Sequence, residues 1–394
     1  MILAAPWLTA ESSRQLMDVL TEGDVPARFV GGCVRDALLG HYDPDVDLDV
    51  ATPILPEQVI ERLEAAGIKA IPTGLSHGTV TAVVDGRPFE ITTLRKDVAC
   101  DGRHAEVAFA ADFREDAERR DFTINAMSVD RQGRLVDYFG GVEDLKAGRI
   151  RFVGDAQARV REDYLRILRF FRFFARYGRP PVDEGALEAC RAGASGLEEL
   201  SGERIRSEMF KLLDSSGAAE ALRLMIENGI LSHILPSTPD LEPLQRLITL
   251  VPESDPLLRL VTLLSPTSAE PVAEAWKLSN AEKTRLERLT LEPLFDLPHS
   301  PLIARTHIYH HGPEIYTDLV RLSAKSASDL GTSLPPPSVE KLPISGQDLI
   351  ARGVPPGPEL GHLLADIEAW WLNQSMQPDR NACLAELDRR LANS

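Results

Sequence analysis

Alternating aspartates fill residues 43–49 and offer the clearest chemistry in the chain. Asp43 and Asp45 flank a proline and are typical of a solvated acidic loop. Asp47 and Asp49 are interleaved with apolar residues, as on a strand whose alternate side chains share a face. Carboxylates crowded together repel one another unless a cation neutralises them, and oxygen ligands suit Mg²⁺. We therefore predict that Asp47 and Asp49 bind Mg²⁺ ions that also hold a triphosphate.

A third catalytic carboxylate is expected from a nearby strand. The β-rich runs at residues 79–84 and 88–94 are separated by Asp85-Gly86, a strong hairpin signal. Glu90 begins the second arm of this hairpin, and we predict that it joins the two aspartates. The alternative is a surface strand residue without a catalytic role.

Residues 28–40 have the pattern of an anion-binding turn, in which a strand-like run meets Gly31-Gly32 and then a helix. Glycines let a phosphate approach the backbone, and free amides at the start of a helix attract anions. Arg35, one turn into the helix, can reach the same anion. A Gly-Gly pair alone is also common in ordinary turns.

The segment 118–127 (ERRDFTINAM) places charged residues at an element boundary. Arg120 can bind phosphate and Asp121 a ribose hydroxyl. The same pair can instead form a buried salt bridge that holds the junction. Asn125 can contact a nucleotide or satisfy backbone groups.

A basic belt runs through an otherwise acidic chain. The net charge is −17, yet residues 145–180 contain ten basic residues and three acidic ones. At 100° per residue, Arg166, Arg169 and Arg172 fall on one side of a helix and apolar residues on the other. Asp163 and Arg166 can form an i,i+3 salt bridge. Alternatively, this acceptor–donor pair reads a base edge.

The elements that position these residues change along the chain. Strand and helix patterns mix up to about residue 150, and helices alone follow from about residue 156. The fold class predicted is α+β, with a mixed sheet and helices in an N-terminal head and an all-helical remainder.

The composition excludes several classes of protein. Hydrophobic residues make up 43% and charged residues 26%, which excludes a largely disordered or fibrous chain. An apolar run of about 18 residues is absent, so no membrane span is expected. The N-terminus lacks the basic start and apolar stretch of a signal peptide, and the four cysteines are scattered. We therefore expect a cytoplasmic protein without a disulfide framework or zinc ribbon.

The four motifs described above, taken in their order along the chain, closely resemble those of class II CCA-adding tRNA nucleotidyltransferases. That family is related to bacterial poly(A) polymerase within the polymerase-beta nucleotidyltransferase superfamily. The likeness is strongest from about Arg28 to Leu213. The motifs are Gly31-Gly32-x-Val34-Arg35-Asp36, Asp47-x-Asp49, Arg119-Arg120-Asp121-Phe122-Thr123-x-Asn125-Ala126 and Glu162-Asp163-x-x-Arg166.

The resemblance implies four domains: a catalytic head at 1–153, a neck for nucleotide recognition at 154–215, a body at 216–334 and a tRNA-binding tail at 335–394. It implies that Asp163 and Arg166 read CTP or ATP in place of a nucleic-acid template. With the residues above, the predicted nucleotide-binding set is Gly31, Gly32, Arg35, Arg120, Asp121, Asn125, Asp163, Arg166, Arg169 and Arg172.

The implied reaction is template-independent addition of CCA to the 3′ end of tRNA from CTP and ATP. The 3′ hydroxyl attacks the α-phosphate in line, two Mg²⁺ ions assist, and pyrophosphate leaves. The expected partners are tRNA and nucleoside triphosphates, with no membrane and no obligate protein partner. The alternatives are a poly(A) polymerase, an A-only adding enzyme or a non-catalytic tRNA-binding relative.

Three features separate these alternatives. His307, His310 and His311 lack the adjacent aspartate of a His-Asp phosphohydrolase, so we expect no such activity. The tail is not basic, unlike that of many poly(A) polymerases. The polar segment 96–104 is expected to form a mobile loop, and the full stretch 95–106 is long enough for a CCA-adding enzyme. All three favour complete CCA addition.

Overall fold

The computed structural model describes residues 1–75, 78–100, 105–109, 112–253, 255–334 and 338–392. The chain forms two compact units. The first comprises residues 1–238 and 274–277, and the second comprises residues 239–273 and 278–394.

The first unit combines strands with helices. Its described strands are β1 (Arg28–Val30), β2 (Leu48–Thr52), β3 (Lys69–Gly74), β4 (Thr79–Val84), β5 (Arg87–Thr93), β6 (Arg95–Cys100), β7 (Ala105–Phe109), β8 (Met127–Val129) and β9 (Leu135–Asp137). Its helices are α1 (Pro6–Thr9), α2 (Glu11–Leu20), α3 (Gly32–Leu38), α4 (Pro56–Ala65), α5 (Phe113–Glu118), α6 (Gly141–Ala147), α7 (Ala156–Glu162), α8 (Leu165–Tyr177), α9 (Glu184–Gly193), α10 (Gly202–Leu213) and α11 (Ala218–Glu227).

Seven of these strands form one mixed sheet in the order β3-β4-β5-β2-β1-β8-β9. β2 and β5 run parallel, and the other neighbouring pairs run antiparallel. The expectation of a mixed sheet followed by helices is confirmed. The sheet places the end of β1, the start of β2 and the middle of β5 side by side, which is where the predicted glycines and carboxylates lie.

The predicted β4–β5 hairpin is confirmed. Val84 pairs with Arg87 across a two-residue turn. Asp85 and Gly86 both have positive φ, 50° and 80°, as a tight turn matched to the twist of the strands requires. This turn fixes the register of β5 and therefore the position of Glu90.

The expectation of a loop over residues 96–104 is wrong for its described part. β6 pairs antiparallel with β7 as a separate two-stranded sheet, from Arg95 opposite Phe109 to Cys100 opposite Ala105. Residues 101–104 lie outside the described residues. Polar composition was a poor guide here, because β6 and β7 pair through their backbones, and every backbone carries the same donor and acceptor whatever its side chain.

Aromatic residues join the sheet-bearing part of the first unit to α8. Phe122 and Phe152 are buried against each other, with ring centroids 4.8 Å apart. Phe170 and Phe173 from α8 pack on Phe122 at 6.4 and 5.2 Å. The predicted apolar face of α8 is confirmed, and it is wider than the 100° periodicity indicated, because Phe170 and Phe173 are buried too.

The second unit is helical in its described residues, and α14 extends from it into the first. Its helices are α12 (Glu242–Leu250), α13 (Pro256–Val261), α14 (Pro266–Ala275), α15 (Asn280–Leu291), α16 (Pro301–Ser323), α17 (Ala327–Ser333), α18 (Gly346–Ile350), α19 (Pro358–Asn373) and α20 (Arg380–Leu391). Gly312, with φ 83° and ψ 165°, breaks α16 immediately before Pro313. In α19, Ile367 and Trp371 are buried.

Across the described residues, every helix is too short or too polar to cross a bilayer.

Candidate active site

The predicted carboxylates lie near one another where β2 pairs with β5. Asp49 lies directly beside Glu90 in the parallel register of the two strands. The sequence pattern placed both Asp47 and Asp49 on the strand. In the structure β2 begins at Leu48, so Asp47 lies immediately before it. Asp47 and Glu90 are exposed, whereas Asp49 is partly buried. The structure thus brings the three residues into one neighbourhood with Asp49 innermost.

Burial and the neighbouring carboxylates change the pKa of Asp49. Burial, followed by the charge of Glu90, raises the pKa of Asp49 from 3.8 to about 6. Asp47 acts in the same direction, and Arg120 opposes it. A partly buried carboxylate beside two others is an oxygen-rich, negatively charged set, which fits a hard cation such as Mg²⁺.

The three carboxylates do not converge on one point. Of the His, Cys, Asp and Glu side chains within the described ranges, the only triad whose ligand atoms all lie within 4.8 Å of one another is in the second unit. The ligand atoms of Asp47, Asp49 and Glu90 are therefore not all within that distance of one another, and Asp47 and Glu90 are exposed.

The glycine turn lies next to this edge. Gly31 adopts φ +75°, which favours glycine, and a Cβ there would lie 3.2 Å from Arg120 Nη1 and 3.8 Å from Asp49 Oδ2. A side chain at residue 31 would therefore be strained by the backbone and would crowd two site residues.

A cavity of about 410 Å³ opens beside the turn and carries five arginines. Nine of the predicted residues line it, together with Arg119 and Phe173. The nine are Gly31, Gly32, Arg35, Asp49, Arg120, Asp121, Asn125, Arg166 and Arg169. Asp47, Glu90, Asp163 and Arg172 lie outside its lining. A cavity with this charge fits a polyanion such as a triphosphate.

Arg35 is held rigidly at the cavity wall. Its guanidinium donates two hydrogen bonds of 2.9 Å to Asp36 and one of 2.6 Å to Asn125 Oδ1. Tyr177 on α8 donates to the same Asp36 carboxylate at 2.9 Å. Asn125 therefore accepts a hydrogen bond from the Arg35 side chain, and its role is not limited to satisfying backbone groups.

Asp121 forms the buried salt bridge that the sequence allowed, but with Arg169 instead of Arg120. Arg169 Nε donates to Asp121 Oδ2 at 2.7 Å, and Asn125 Nδ2 donates to Oδ1 at 3.0 Å. Although burial acts to raise it, Arg169 and Asn125 hold the pKa of Asp121 below its ordinary value. Asp121 is therefore an ionised anchor for Arg169 in this structure.

Asp116 is a site residue that sequence reasoning missed. It is buried, accepts from Arg119 Nη2 at 2.7 Å and accepts from Arg120 Nη2 at 3.0 Å. Spacing offered a signal, because Asp116 lies one helical turn before both arginines. Its carboxylate orients the pair toward the cavity.

Asp163 and Arg166 do not pair with each other. Asp163 accepts from Arg204 Nη2 at 2.7 Å and from the Leu165 amide at 3.1 Å. Arg166 instead donates to Glu162 and to the Arg159 carbonyl, the latter at 3.1 Å. The i,i+3 salt bridge that competed with base reading is thus not formed.

Arg172 is turned away from the cavity. Its Nε lies 3.0 Å from Glu208 Oε2 in α10, an ion pair without hydrogen-bond geometry. Phe173, also missed from sequence, lies under three guanidiniums, with Arg172, Arg35 and Arg169 at 4.4, 5.3 and 5.5 Å from its ring centroid. The aromatic ring gives these cations a common support.

The raised pKa of Asp49 predicts a pH-dependent effect of Asp49→Asn on stability without metal. Near pH 4 the carboxyl is protonated in the folded chain and only about half ionised in the unfolded chain, so the substitution changes the free energy of unfolding little. Above about pH 6 the folded chain carries a charge that it binds less well than the unfolded chain does. We therefore expect Asp49→Asn to raise the free energy of unfolding at pH 7.5 by on the order of 1–3 kcal/mol.

The measurement is denaturant unfolding of both proteins in EDTA at pH 4 and pH 7.5. Equal gains at the two pH values would show that the pKa of Asp49 is not raised. Excess Mg²⁺ at pH 7.5 should reverse the order by stabilising only the protein that retains Asp49.

Comparisons with known proteins agree with this geometry. Residues 27–151 match the family described as Poly A polymerase head domain, and residues 181–241 match that described as Probable RNA and SrmB- binding site of polymerase A. A mixed sheet carrying paired carboxylates beside an arginine-lined cavity is thus a nucleotidyltransferase head.

Whole-chain relatives narrow the class. The chain is 36% identical to CCA tRNA nucleotidyltransferase 1, mitochondrial, of Danio rerio, covering 95% of this chain and 90% of that protein. It is 31% identical to the CCA-adding enzyme of Limosilactobacillus fermentum, covering 91% of each. The crystal structure of the Bacillus stearothermophilus CCA-adding enzyme in complex with CTP superposes with a TM-score of 0.76 at 29% identity, covering 97% of this chain and 98% of that one. The chain belongs to the family of class II CCA-adding enzymes and poly(A) polymerases.

Proposed function

We propose that this chain is a CCA tRNA nucleotidyltransferase, which adds CCA to the 3′ end of tRNA from CTP and ATP without a nucleic-acid template. The observation that carries the proposal is the coincidence of Asp49 and its neighbouring carboxylates with an arginine-lined cavity, in a chain similar over nine-tenths of its length to enzymes of that name.

The arginines of the cavity would bind the triphosphate. Arg35, Arg120 and Arg169 are each held by a carboxylate, so their guanidiniums are oriented before the substrate arrives. Preoriented cations stabilise charge that develops in a transition state more effectively than mobile ones. Pyrophosphate would leave from the same cavity.

Asp47 and Asp49 would hold Mg²⁺, and Glu90 is the third candidate ligand. When bound, two Mg²⁺ ions would make the tRNA 3′ hydroxyl a better nucleophile and neutralise the leaving oxygens. Asp49 has to be ionised for this role. Because its pKa is raised to about 6, Mg²⁺ affinity should fall as the pH drops below about 6.

Asp163 and Arg166 would read the base. A carboxylate accepts from the amino group shared by cytosine and adenine, and a guanidinium donates to the adjacent ring nitrogen. Both residues are engaged elsewhere in this structure, with Arg204 and Glu162. Base binding would therefore require them to exchange these partners, while Arg169 and Arg172 neutralise nearby charge.

The four-domain division at residues 153, 215 and 334 remains a proposal, as does tRNA binding by the tail. A cytoplasmic location is likewise proposed. It is supported by three buried cysteines that form no disulfide in the described part of the chain, Cys33, Cys190 and Cys383.

The decisive experiment is incubation with tRNA that lacks its CCA end, Mg²⁺, and CTP or ATP singly and together. Sequencing of the product 3′ ends should show CC with CTP alone and CCA with both nucleotides. Long A tracts would identify a poly(A) polymerase, a single A on tRNA ending in CC would identify an A-only enzyme, and no product would indicate a non-catalytic relative.

We predict that tRNA affinity falls steeply with salt despite the charge of −17. Arg176 at the end of α8 is exposed and available to a phosphate, whereas Arg172 is occupied by Glu208. Arg176→Ala should therefore reduce the slope of log affinity against log salt by about 1.

Filter binding from 50 to 300 mM salt would measure this slope. Arg223→Ala is the matched control, because Arg223 is an exposed arginine on α11 paired with Glu220. An Arg176 variant with an unchanged slope would place the tRNA phosphates elsewhere.

A further inference from the structure

Three metal-ligating side chains cluster in the second unit, where the proposed reaction does not use them. They are Glu292, His307 and His311, and their ligand atoms all lie within 4.8 Å of one another. Each is partly buried. They form the only such triad of His, Cys, Asp and Glu in the part of the chain that the structure describes.

The local structure explains how the three meet. His307 and His311 are one turn apart on α16 and share a face. Glu292 follows the last residue of α15, and its amide donates to the Arg288 carbonyl at 3.1 Å. His311 Nε2 lies 3.4 Å from Glu292 Oε1. The cluster therefore joins two consecutive helices.

The distances suit a tetrahedral ion. Zinc bonds of about 2.0–2.1 Å to nitrogen and oxygen place neighbouring ligand atoms roughly 3.3 Å apart. The distance between His311 Nε2 and Glu292 Oε1, 3.4 Å, is close to this value. The distances from His307 to these two residues are at most 4.8 Å and would have to shorten when the ion binds. Two imidazoles and one carboxylate are a ligand set for Zn²⁺ rather than for Mg²⁺ or Ca²⁺.

His307 provides an independent indication. Its Nδ1 is buried without a hydrogen-bond partner among the described residues, and such an atom usually has one. The Phe295 ring packs on the imidazole at 4.6 Å between centroids.

The cluster is also reachable. His311 lines an open cavity of about 620 Å³ together with Gly312 and with Arg288 of α15. An ion bound by His311 could therefore enter from solvent and keep a water molecule as a further ligand.

We propose that Glu292, His307 and His311 bind one Zn²⁺ ion that fastens the end of α15 to the first half of α16. The proposal is independent of nucleotidyl transfer in the head. Because the two histidines precede the break at Gly312, the ion would fix the part of α16 before that break.

The test uses the full chain, stripped with EDTA and dialysed, in excess Mg²⁺ so that the head carboxylates are occupied. After equilibration with zinc and removal of free metal, elemental analysis should give about one zinc per chain, and the thermal midpoint should rise. Cobalt should give the intense visible absorption of a tetrahedral site.

Glu292→Gln and His311→Ala should each lose the bound zinc and the zinc-dependent rise in the thermal midpoint. His310→Ala, a substitution of an exposed histidine on the same helix, should keep both. Less than about a tenth of an equivalent in the wild type, or equal zinc content in wild type, Glu292→Gln and His311→Ala, would overturn the proposal. Measuring the same uptake in Asp49→Asn excludes the head as the zinc site if uptake is unchanged, and contradicts the proposal if it disappears.

Discussion

Asp49→Asn is expected to reduce kcat/KM for nucleotide addition by at least about 10³-fold, a loss of roughly 4 kcal/mol of transition-state stabilisation. Asp49 is the innermost of the three carboxylates and the one that lines the arginine cavity. Its substitution removes a charged metal ligand without changing the size of the side chain. Affinity for tRNA should stay within about threefold, because the proposed RNA contacts lie outside the head.

Asp45→Asn is the matched control for this prediction. Asp45 is exposed in the preceding turn, where its amide bonds to Asp43, and it should retain most activity. Asp47→Asn should behave like Asp49→Asn. An inactive Asp45 variant together with an active Asp49 variant would show that the metal ligands are assigned two residues too late.

Asp163→Asn is expected to admit UTP. The asparagine amide can donate to the uracil carbonyl that opposes a carboxylate, so the preference for CTP over UTP should fall by about 1–3 kcal/mol, or roughly 5- to 150-fold. Its carbonyl can still accept from the Leu165 amide and preserve the start of α8. The measurement is kcat/KM for all four nucleotides on tRNA that ends just before the first C.

Asp155→Asn controls for loss of a helix cap. Asp155 also accepts from a helix amide, that of Ala158 at 2.7 Å, and it is exposed. It should leave nucleotide preference unchanged. If Asp163→Asn slows all four nucleotides equally and keeps the CTP preference, then Asp163 only positions α8 and Arg204, and the base is read by other groups.

Local sequence patterns predicted much of the candidate site. The spacing of Asp47 and Asp49 and the Asp85-Gly86 turn predicted the two aspartates and the hairpin, and Glu90, chosen as the third carboxylate, lies beside Asp49 in the structure. Periods of two and 3.6 residues are properties of the backbone, so they survive folding into a tertiary structure. The turn at Gly31-Gly32 was predictable for the same reason, because its signal lies in consecutive residues.

Partners from distant elements were not predictable in the same way. Asp163 is bound by Arg204, 41 residues away, and Asp121 by Arg169, 48 residues away. Sequence could name the charged groups of the site, but their pairing depends on how α8 packs against α10 and against the sheet-bearing region. Phe173 was not singled out from the sequence, and its position under the arginines follows from that packing.

Phe122 and Phe152 are buried against Phe170 of α8, and this packing has a consequence for the unfolding of the first unit. Removing everything after residue 153 would uncover both rings and leave the Asp121 carboxylate without Arg169. Losing the partner of a buried charge costs about 3–5 kcal/mol, a large share of the roughly 5–15 kcal/mol that stabilises a domain. We therefore expect the proposed head and neck to melt in one cooperative transition, so that the boundary at residue 153 separates two tasks within a single folding unit.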